Sequence, residues 1–335
     1  MDVRRQAIIA SGLLTRRELL ARGTNDREVR AALRAGHLLR VSHGVYGLPR
    51  SGSGSLVYPR TSRDFEQLRF EHRRLVCSKV LRAEDPLVSH VSAALLLGLP
   101  LVDADLGVVH ITGRLPNEGQ RRGVVFRHPR GAGIPEIRVD GIRMTTAART
   151  LVDVARTESV VAAVTAMDAA LHRAMVVRED LESELAAATG RRGISTARRA
   201  VALADGRSES PGESKTRILL HDLGFPSPEL QVNVLDAAGH LLGRADLAYA
   251  EFGVLIEFDG LAKYGDIPDG PEARTALIKE KRREDRLRAA GFVVLRLVWS
   301  DLGDRDRLRR LLSDAMDQGR RAVAAGIITG TMVAA

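Results

Sequence analysis

The segment at residues 244–260, RADLAYAEFGVLIEFDG, constrains the fold of this chain more than any other stretch. It contains two short apolar runs on either side of a turn signal, which predicts two paired strands. Asp246 lies on the first run, and Glu257 and Asp259 lie on the second. Because side chains alternate along a strand, Glu257 and Asp259 share one face, and pairing brings Asp246 alongside one of them. Carboxylates that converge in this way need a compensating cation, so the pattern predicts a site.

The surrounding sequence places this site in an α/β domain. Residues 209–323 show the order helix, three strands, helix, strand and helix, which predicts a mixed sheet flanked by helices. Carboxylates on rigid strands suit Mg²⁺ or Mn²⁺, which can polarise a phosphoryl oxygen and activate a water molecule. The predicted metal ligands are Glu213 on the preceding helix, Asp246, Glu257 and Asp259.

These strands, together with KEKRREDRLRAAGFVVLRLVWSDL further on, resemble the very-short-patch-repair (Vsr-like) branch of the PD-(D/E)xK nuclease superfamily. The resemblance implies a restriction-endonuclease-like domain that hydrolyses phosphodiester bonds with Mg²⁺ or Mn²⁺. It also implies that Glu213 matches the family's helix glutamate, Asp246 its metal-binding aspartate and Glu257 its second acid, so that Asp246 and Glu257 are catalytic.

The chain departs from the superfamily pattern at the lysine that follows the second acid. Asp259 stands at that position, and the candidate catalytic cations are Lys263 in the following loop and Lys281 in the next helix. A structural alternative is that Asp246 and Glu257 only form ion pairs, with Arg244 and Arg296 as partners. A nuclease-like domain that binds nucleic acid without cleaving it is a further alternative.

Positive charge is concentrated at the N-terminus of this 335-residue chain, whose formal net charge is +9. Residues 1–60 contain 11 basic and 4 acidic residues, whereas residues 212–335 contain 18 basic and 19 acidic residues. A positive field confined to one segment is typical of a module that binds phosphate groups.

Two capping boxes predict two short helices in the basic segment. Thr15 with Glu18 starts the first helix, and Asn25 with Glu28 starts the second. Projected at about 100° per residue, the second helix turns its apolar side chains to one face. Its opposite face carries the predicted DNA contacts Arg27, Arg30 and Arg34.

The sequence HLLRVSHGVYGL that follows predicts a β-hairpin with Ser-His-Gly at the bend. Helix, turn, helix and hairpin is the order of a winged helix-turn-helix, in which the second helix enters the major groove and the hairpin contacts the DNA backbone. Arg40 and His43 are the predicted hairpin contacts. The structural alternative is a small helical cap with a solvated basic face.

The stretch GLLTRRELLARGTNDREVRAALRAGHLLRVSHGVYGLP resembles the N-terminal domain of the AbiEi antitoxin family. The resemblance implies a winged helix-turn-helix that binds promoter DNA and autoregulates a toxin–antitoxin operon. It therefore implies DNA as a partner and possible contact with a cognate toxin protein.

The middle of the chain predicts a linking domain. A helix near 62–82 precedes strand-like runs at 108–112, 123–128 and 137–146, and further helices follow. This order resembles the region after the winged helix in AbiEi-like proteins, where it links domains or contacts a partner. The joint SGSGS at its start and a Gly/Ser/Pro-rich stretch at its end are domain boundaries by composition.

The predicted fold class is therefore α+β multidomain, with a winged helix-turn-helix, an α/β linking domain and a restriction-endonuclease-like α/β domain. The predicted domain bounds are 1–50, 56–208 and 209–323.

Three histidines of the middle segment are candidate metal ligands. The separations between His90, His110 and His128 match no helical or loop metal motif, which favours satisfied polar or core histidines. Cys77, the single cysteine, is predicted to be a buried apolar residue. The chain has no apolar run of about 18 residues, so we expect a cytoplasmic protein without a membrane partner or a small-molecule cofactor.

Two functions compete on these grounds. The first is a DNA-binding protein with a Mg²⁺-dependent Vsr-like endonuclease domain. The second is an AbiEi-like antitoxin and transcriptional repressor of the type IV class, whose nuclease-like domain is inactive or only binds nucleic acid or a partner. A protein that mainly contacts a toxin or another partner is a third possibility.

Overall fold

The computed structural model describes residues 12–49, 62–80, 86–113, 120–129, 133–260 and 271–334. Two compact units make up the chain, residues 1–204 and residues 205–335. Both combine helices with sheet, as the α+β multidomain prediction requires, and the described residues form three sheets. The predicted SGSGS joint and the predicted catalytic residue Lys263 lie outside the described residues.

The first unit begins with a strand, two helices and a hairpin. These elements are β1 (Leu13–Thr15), α1 (Arg16–Ala21), α2 (Asp26–Arg34), β2 (Leu39–Ser42) and β3 (Val45–Gly47). The strands form an antiparallel sheet in the order β1-β3-β2. Both predicted capping boxes are present, at the starts of α1 and α2.

A six-stranded sheet follows, with the strand order β6-β7-β5-β4-β9-β8. Its elements, in chain order, are α3 (Ser62–Val80), β4 (Leu87–Val88), α4 (His90–Leu96), β5 (Val109–Gly113), β6 (Gln120–Arg122), β7 (Val125–Pro129), β8 (Glu136–Val139) and β9 (Ile142–Thr145). The run predicted to be strand-like over 137–146 forms two strands, β8 and β9. Asp140 and Gly141 both take positive φ, 47° and 78°, and this tight turn splits the run into the hairpin β8–β9.

Four helices complete the first unit: α5 (Ala147–Thr157), α6 (Val160–His172), α7 (Arg178–Ala187) and α8 (Ile194–Leu203). The N-terminal segment is not packed separately from the middle of the chain. Leu13 and Val45 lie in the same buried cluster as Val76, Cys77 and Val109. The segments predicted as 1–50 and 56–208 therefore share one core, and Cys77 is buried as expected.

The second unit contains α9 (Pro211–Asp222), β10 (Glu229–Leu235), β11 (Leu241–Tyr249), β12 (Val254–Phe258), α10 (Pro271–Ala289), β13 (Val293–Leu297), α11 (Arg305–Ala324) and β14 (Thr331–Ala334). The strand order is β13-β12-β11-β10-β14, with β12 and β13 parallel and the other neighbours antiparallel.

The predicted order of helices and strands is confirmed in this unit, except that β14 adds an edge strand beyond residue 323. Its sequence, TMVA, is too short to predict a strand before its partner β10 is known. In the part of the chain that the structure describes, no helix is both long and apolar enough to cross a membrane.

Candidate functional site

Helix α2 presents three arginines on one exposed face, here called the arginine face: Arg27, Arg30 and Arg34. The opposite side of the helix is fixed by Val29, which is buried in a small core with Leu19, Leu38 and Tyr46. Because these arginines are spaced three and four residues apart, burying Val29 orients them together. The predicted division of α2 into an apolar and a basic face is confirmed.

The acidic residues of α2 do not cancel this basic face. Asp26 pairs with Arg16 through two side-chain hydrogen bonds, and this pairing lowers the pKa of Asp26. Glu28 turns back to accept a hydrogen bond from the Asn25 amide. Both carboxylates also lie in the first turn, where the helix dipole favours negative charge.

The predicted hairpin contacts are exposed as well. Arg40 lies on β2, and His43 lies with Gly44 in the turn to β3, where Gly44 has a φ of 68°. All five predicted DNA contacts therefore lie on the surface of the N-terminal segment. Their contact with DNA stays a prediction.

A line of polar side chains crosses the sheet of the second unit; we call it the polar row. Glu257 and Arg296 are direct partners in the parallel pair β12–β13. Extending the β11–β12 pairing by one residue places Asp246 opposite Glu257. On its other side Asp246 lies opposite Gln231 of β10, because the neighbours of Gln231 pair with the neighbours of Asp246. The polar row thus consists of Gln231, Asp246, Glu257 and Arg296, one residue from each of four adjacent strands.

Glu213 approaches the polar row from helix α9. It is 5% exposed and accepts hydrogen bonds from the side chain of Gln231, at 2.9 Å, and from the amide of Glu209. Burial raises the pKa of Glu213, and the charge of Asp246 raises it further. Glu213 therefore lies near enough to Asp246 for their charges to interact, and its role as a metal ligand stays a prediction.

Asp246 accepts a 2.8 Å hydrogen bond from the amide of Phe258. Burial raises the pKa of Asp246, and the charge of Glu257 acts in the same direction, while the Phe258 amide opposes both. Desolvation with like-charge neighbours is the pattern that marks functional carboxylates in many proteins.

Arginines compensate Glu257. Its carboxylate oxygens lie 2.6 Å from Arg283 of α10 and 2.9 Å from Arg296 of β13. Glu280 also bonds to both arginines. The ion pair between Glu257 and Arg296 is the one that the structural alternative predicted, whereas Arg244 pairs with Glu209 instead.

The predicted catalytic cation on α10 is not at the polar row. Lys281 is exposed and precedes Arg283 by two residues, which is about 200° around the helix. Arg283 faces Glu257, so Lys281 faces away from it. Asp259 is half-buried, and its amide donates to the carbonyl of Leu297.

Sequence reasoning missed Gln231 and Arg283. Arg283 could not be found from a motif, because it is an arginine where the superfamily pattern has lysine and it lies 26 residues beyond Glu257. Gln231 is marked as a candidate site residue only by its backbone in the structure, which has a left-handed φ of 53°. This conformation costs on the order of 1 kcal/mol or more in a residue other than glycine.

As the side chains are arranged, the carboxylates do not fit a Mg²⁺ ion well. Glu257 forms ion pairs with Arg283 and Arg296, of which the contact of Oε2 with Arg296 is a hydrogen bond, whereas Oε1 accepts none from the described residues. One oxygen of Asp246 accepts from Phe258. Among the described residues, a group of three potential metal-ligand side chains lies in the first unit, not at the polar row. The ligand atoms of this group lie within 4.8 Å of one another.

That group, the histidine cluster, consists of His90, His110 and His128 of the first unit. The three side chains are buried, at 3%, 8% and 9% exposure. His90 contacts Ser89, and His110 contacts His128, but the prediction of satisfied core histidines does not account for ligand atoms that lie mutually within 4.8 Å. Their mutual proximity was missed, because it arises from the pairing of strands that lie 18 or more residues apart.

Burial keeps the histidine cluster neutral. It lowers the pKa of His90 well below its usual value, that of His110 to about 4 and that of His128 to about 2. The charges of Arg149 and Arg156 lower the pKa of His90 further. Neutral imidazoles retain a ring nitrogen with a free lone pair.

The family comparisons match two parts of the chain. Residues 5–49 match the family model described as "Transcriptional regulator, AbiEi antitoxin", and residues 91–205 match the one described as "AbiEi antitoxin C-terminal domain". Both ranges lie within residues 1–205, and neither reaches the sheet that carries the polar row.

Two curated relatives come from strains of Mycobacterium tuberculosis. They are the uncharacterized protein MT2308 of strain CDC 1551 / Oshkosh and the uncharacterized protein Rv2248 of strain H37Rv. Each is 32% identical over 186 residues, which is 55% of this chain and 66% of the relative. The matched region thus spans just under two thirds of these relatives.

Proposed function

We propose that this chain is a transcriptional regulator of the antitoxin kind, which binds duplex DNA through the arginine face of α2 and the hairpin β2–β3. The observation that carries the proposal is an exposed basic helix face, held by a buried apolar face, within the range that matches an AbiEi transcriptional regulator. A strand, two helices and a hairpin follow in the order expected of a winged helix-turn-helix.

The chemistry of this segment suits phosphate and base contacts. Guanidinium groups bond phosphate oxygens and guanine edges in a forked geometry, and α2 presents three of them on one side. Arg40 and His43 would contact the sugar-phosphate backbone next to the groove, as wing residues do. Asp26 and Glu28 are held by Arg16 and Asn25, which limits their repulsion of DNA.

The helices α5 to α8 serve the second half of the proposed role, contact with a toxin. They lie within residues 91–205, the range that matches the AbiEi antitoxin C-terminal domain. The exposed DNA-binding face and this range belong to different parts of the chain, so one protein can repress an operon and engage a partner.

DNA binding is tested by fluorescence anisotropy with a duplex from the chain's own promoter region. Replacing Arg30 and Arg34 together with alanine should weaken binding at least about tenfold and lower the slope of log K against log salt by nearly two. The matched control replaces Arg309 and Arg310, two exposed arginines of α11, and should change affinity little. Equal affinities for wild type and the Arg30/Arg34 variant would remove the arginine face from the proposal.

A second candidate function is cleavage of DNA by the second unit. The observation in its favour is the convergence of Asp246 and Glu213, whose pKa values are both raised by burial. Against it stands the pairing of Glu257 with Arg283 and Arg296, which balances the charge without a metal ion. We therefore rank the second unit as an accessory module that does not cleave.

The two functions are separated by incubating the purified chain with plasmid and single-stranded DNA in Mg²⁺ or Mn²⁺, beside Asp246→Ala. The regulator proposal predicts no cleavage by either protein. Metal-dependent cleavage that is lost in Asp246→Ala would instead establish the nuclease, and cleavage that persists equally in both would indicate a contaminant.

A further inference from the structure

The histidine cluster is assembled from three separate elements of the six-stranded sheet. His110 lies on β5 and His128 lies on the parallel neighbour β7, where His128 pairs with Thr112. Since Thr112 is two residues from His110, the two imidazoles project from the same face of the sheet. His90 is the first residue of α4, directly after β4 and Ser89, whose amide donates to the His110 carbonyl.

The backbone at His90 is held in an unfavourable conformation. Its φ is 52°, in the left-handed region, which is strained for a residue other than glycine. The His90 ring stacks on the His128 ring, with centroids 3.4 Å apart and planes 10° apart. Because imidazole lone pairs lie in the ring plane, one of these two rings must turn before both can point a nitrogen at the same ion. Strain that brings a side chain into a cluster is characteristic of sites rather than of ordinary core packing.

One ring nitrogen of each histidine lies within 4.8 Å of the corresponding nitrogens of the other two. His90 Nδ1 lies 2.9 Å from Ser89 Oγ, which also accepts from Thr112. His110 Nδ1 and His128 Nε2 lie 2.9 Å apart. Such a contact between neutral rings requires that one nitrogen donates its proton to the lone pair of the other.

A metal ion can replace that shared proton. In a tetrahedral zinc site with Zn–N distances of about 2.0–2.1 Å, ligand nitrogens are separated by about 3.3 Å. The 2.9 Å separation of His110 and His128 needs to widen by only a few tenths of an ångström. The Ser89 contact to His90 Nδ1 is the kind of outer hydrogen bond that orients a zinc-bound imidazole.

Among the described residues, the charges around the cluster supply no carboxylate ligand. Asp153 is 2% exposed and is bonded by both Arg149 and Arg156, at 2.7 and 2.9 Å, so it offsets part of the positive charge that these arginines place near His90. His72 is also buried nearby, but its nitrogens bond Leu106 O and Ser92 Oγ. The donor set is therefore three imidazoles with room in the coordination sphere for a water molecule or another ligand.

We propose that His90, His110 and His128 bind one divalent transition-metal ion, with Zn²⁺ as the preferred occupant. Three neutral nitrogen ligands select zinc and its neighbours in the first transition series over Mg²⁺ or Ca²⁺, which require oxygen ligands. The ion ties the start of α4 to strands β5 and β7. This site does not depend on the DNA-binding role and is separate from the polar row.

The test uses the full-length chain without an affinity tag, stripped of metal with a chelator. Titration with Zn²⁺ against a chromophoric competitor should give one ion per chain, and Co²⁺ should give the visible absorption of a tetrahedral site. His110→Gln and His128→Gln should each weaken Zn²⁺ binding by at least about 100-fold, since even outer-sphere partners are worth 10–100-fold. Zn²⁺ should also raise the melting temperature of wild type.

The matched control is His240→Gln, which removes an exposed histidine of the second unit and should leave Zn²⁺ affinity unchanged. Ser89→Ala keeps all three ligands and should weaken binding about tenfold, so a folded variant tests the site even if a ligand variant misfolds. The proposal is overturned if metal-free wild type takes up no Zn²⁺, if Co²⁺ shows an octahedral spectrum, or if the ligand variants bind as tightly as wild type.

Discussion

Buried charged residues of the two units are in opposite situations. Asp153 of the first unit has both carboxylate oxygens bonded by arginines, and one of these, Arg149, is itself 6% exposed. Asp246 and Glu213 of the second unit lie next to each other, and burial raises the pKa of each. The first arrangement holds the fold together, whereas the second costs stability.

Removing the charge of Asp153 should therefore destabilise the chain. Asp153→Asn leaves Arg149 and Arg156 in a largely buried place with, among the described residues, only the 3.8 Å contact of Arg149 with Glu184 as counter-charge, and we expect a loss of about 3 kcal/mol in the free energy of unfolding. Urea denaturation of Asp153→Asn and wild type measures this loss. The control Asp317→Asn breaks a pair with Arg320 in which both side chains are more than half exposed, and it should change stability by no more than about 0.5 kcal/mol.

Asp246→Asn should have the opposite effect. Asparagine keeps the acceptor for the Phe258 amide but removes a charge that burial and Glu257 disfavour. At pH 7 we expect the free energy of unfolding to be higher in Asp246→Asn than in wild type.

The sign of the pH dependence of that gain follows from the raised pKa. A carboxyl whose pKa is higher in the folded chain destabilises it above that pKa, and the cost vanishes below the ordinary value of 3.8. The advantage of Asp246→Asn should therefore shrink as the pH falls from 7 toward 4. Asp285→Asn, at an exposed site on α10, is the control and should gain nothing. A loss of stability in Asp246→Asn would show that the carboxylate is net favourable.

At the scale of elements, close packing of α11 fixes the turn that joins β11 to β12. Gly319 of α11 lies against the backbone of Phe252 in that turn, and a Cβ at this position would overlap the Phe252 carbonyl oxygen. The turn ends at Gly253, which has a φ of 61° and leads directly into β12. The position of α11 thus contributes to the placement of Glu257.

Gly319→Ala should destabilise the second unit by about 2 kcal/mol, because the overlap exceeds the gain of about 1 kcal/mol that alanine brings to a helix. Thermal unfolding of the full-length chain is the measurement. Gly303→Ala is the matched control, because its Cβ would meet no atom within 4 Å. An unchanged melting temperature in Gly319→Ala would show that α11 can move away from the turn.

For the whole molecule, each compact unit has its own core. Two buried clusters consist of residues from 205–335, and two others consist of residues from 1–204. A unit with its own core can fold by itself.

We therefore expect residues 1–204 and 205–335, expressed separately, each to unfold cooperatively. Circular dichroism with heating measures this, and DNA binding should remain with residues 1–204. If residues 205–335 show no cooperative transition, or if residues 1–204 lose DNA binding, the two units depend on each other for folding or function.

Local patterns were readable from the sequence because they depend on neighbours in the chain. The capping boxes at Thr15 and Asn25, the basic face of α2 and the alternation that puts Glu257 on a strand face all involve residues within a few positions of one another. The run at 137–146 was correctly read as strand-like, but its division into a hairpin at Asp140 and Gly141 was not predicted.

Contacts between distant residues were decided by the tertiary structure alone. The sequence by itself determined that Asp246 meets Glu257 or Asp259, since strand periodicity and one short turn are enough to bring acids on paired strands together, and the strand register then selects Glu257. It could not determine that Arg283 and not Lys281 would face them, because that depends on how α10 is rotated against the sheet. Nor could it bring His90, His110 and His128 together, since their proximity requires the pairing of β5 with β7 and the left-handed backbone of His90.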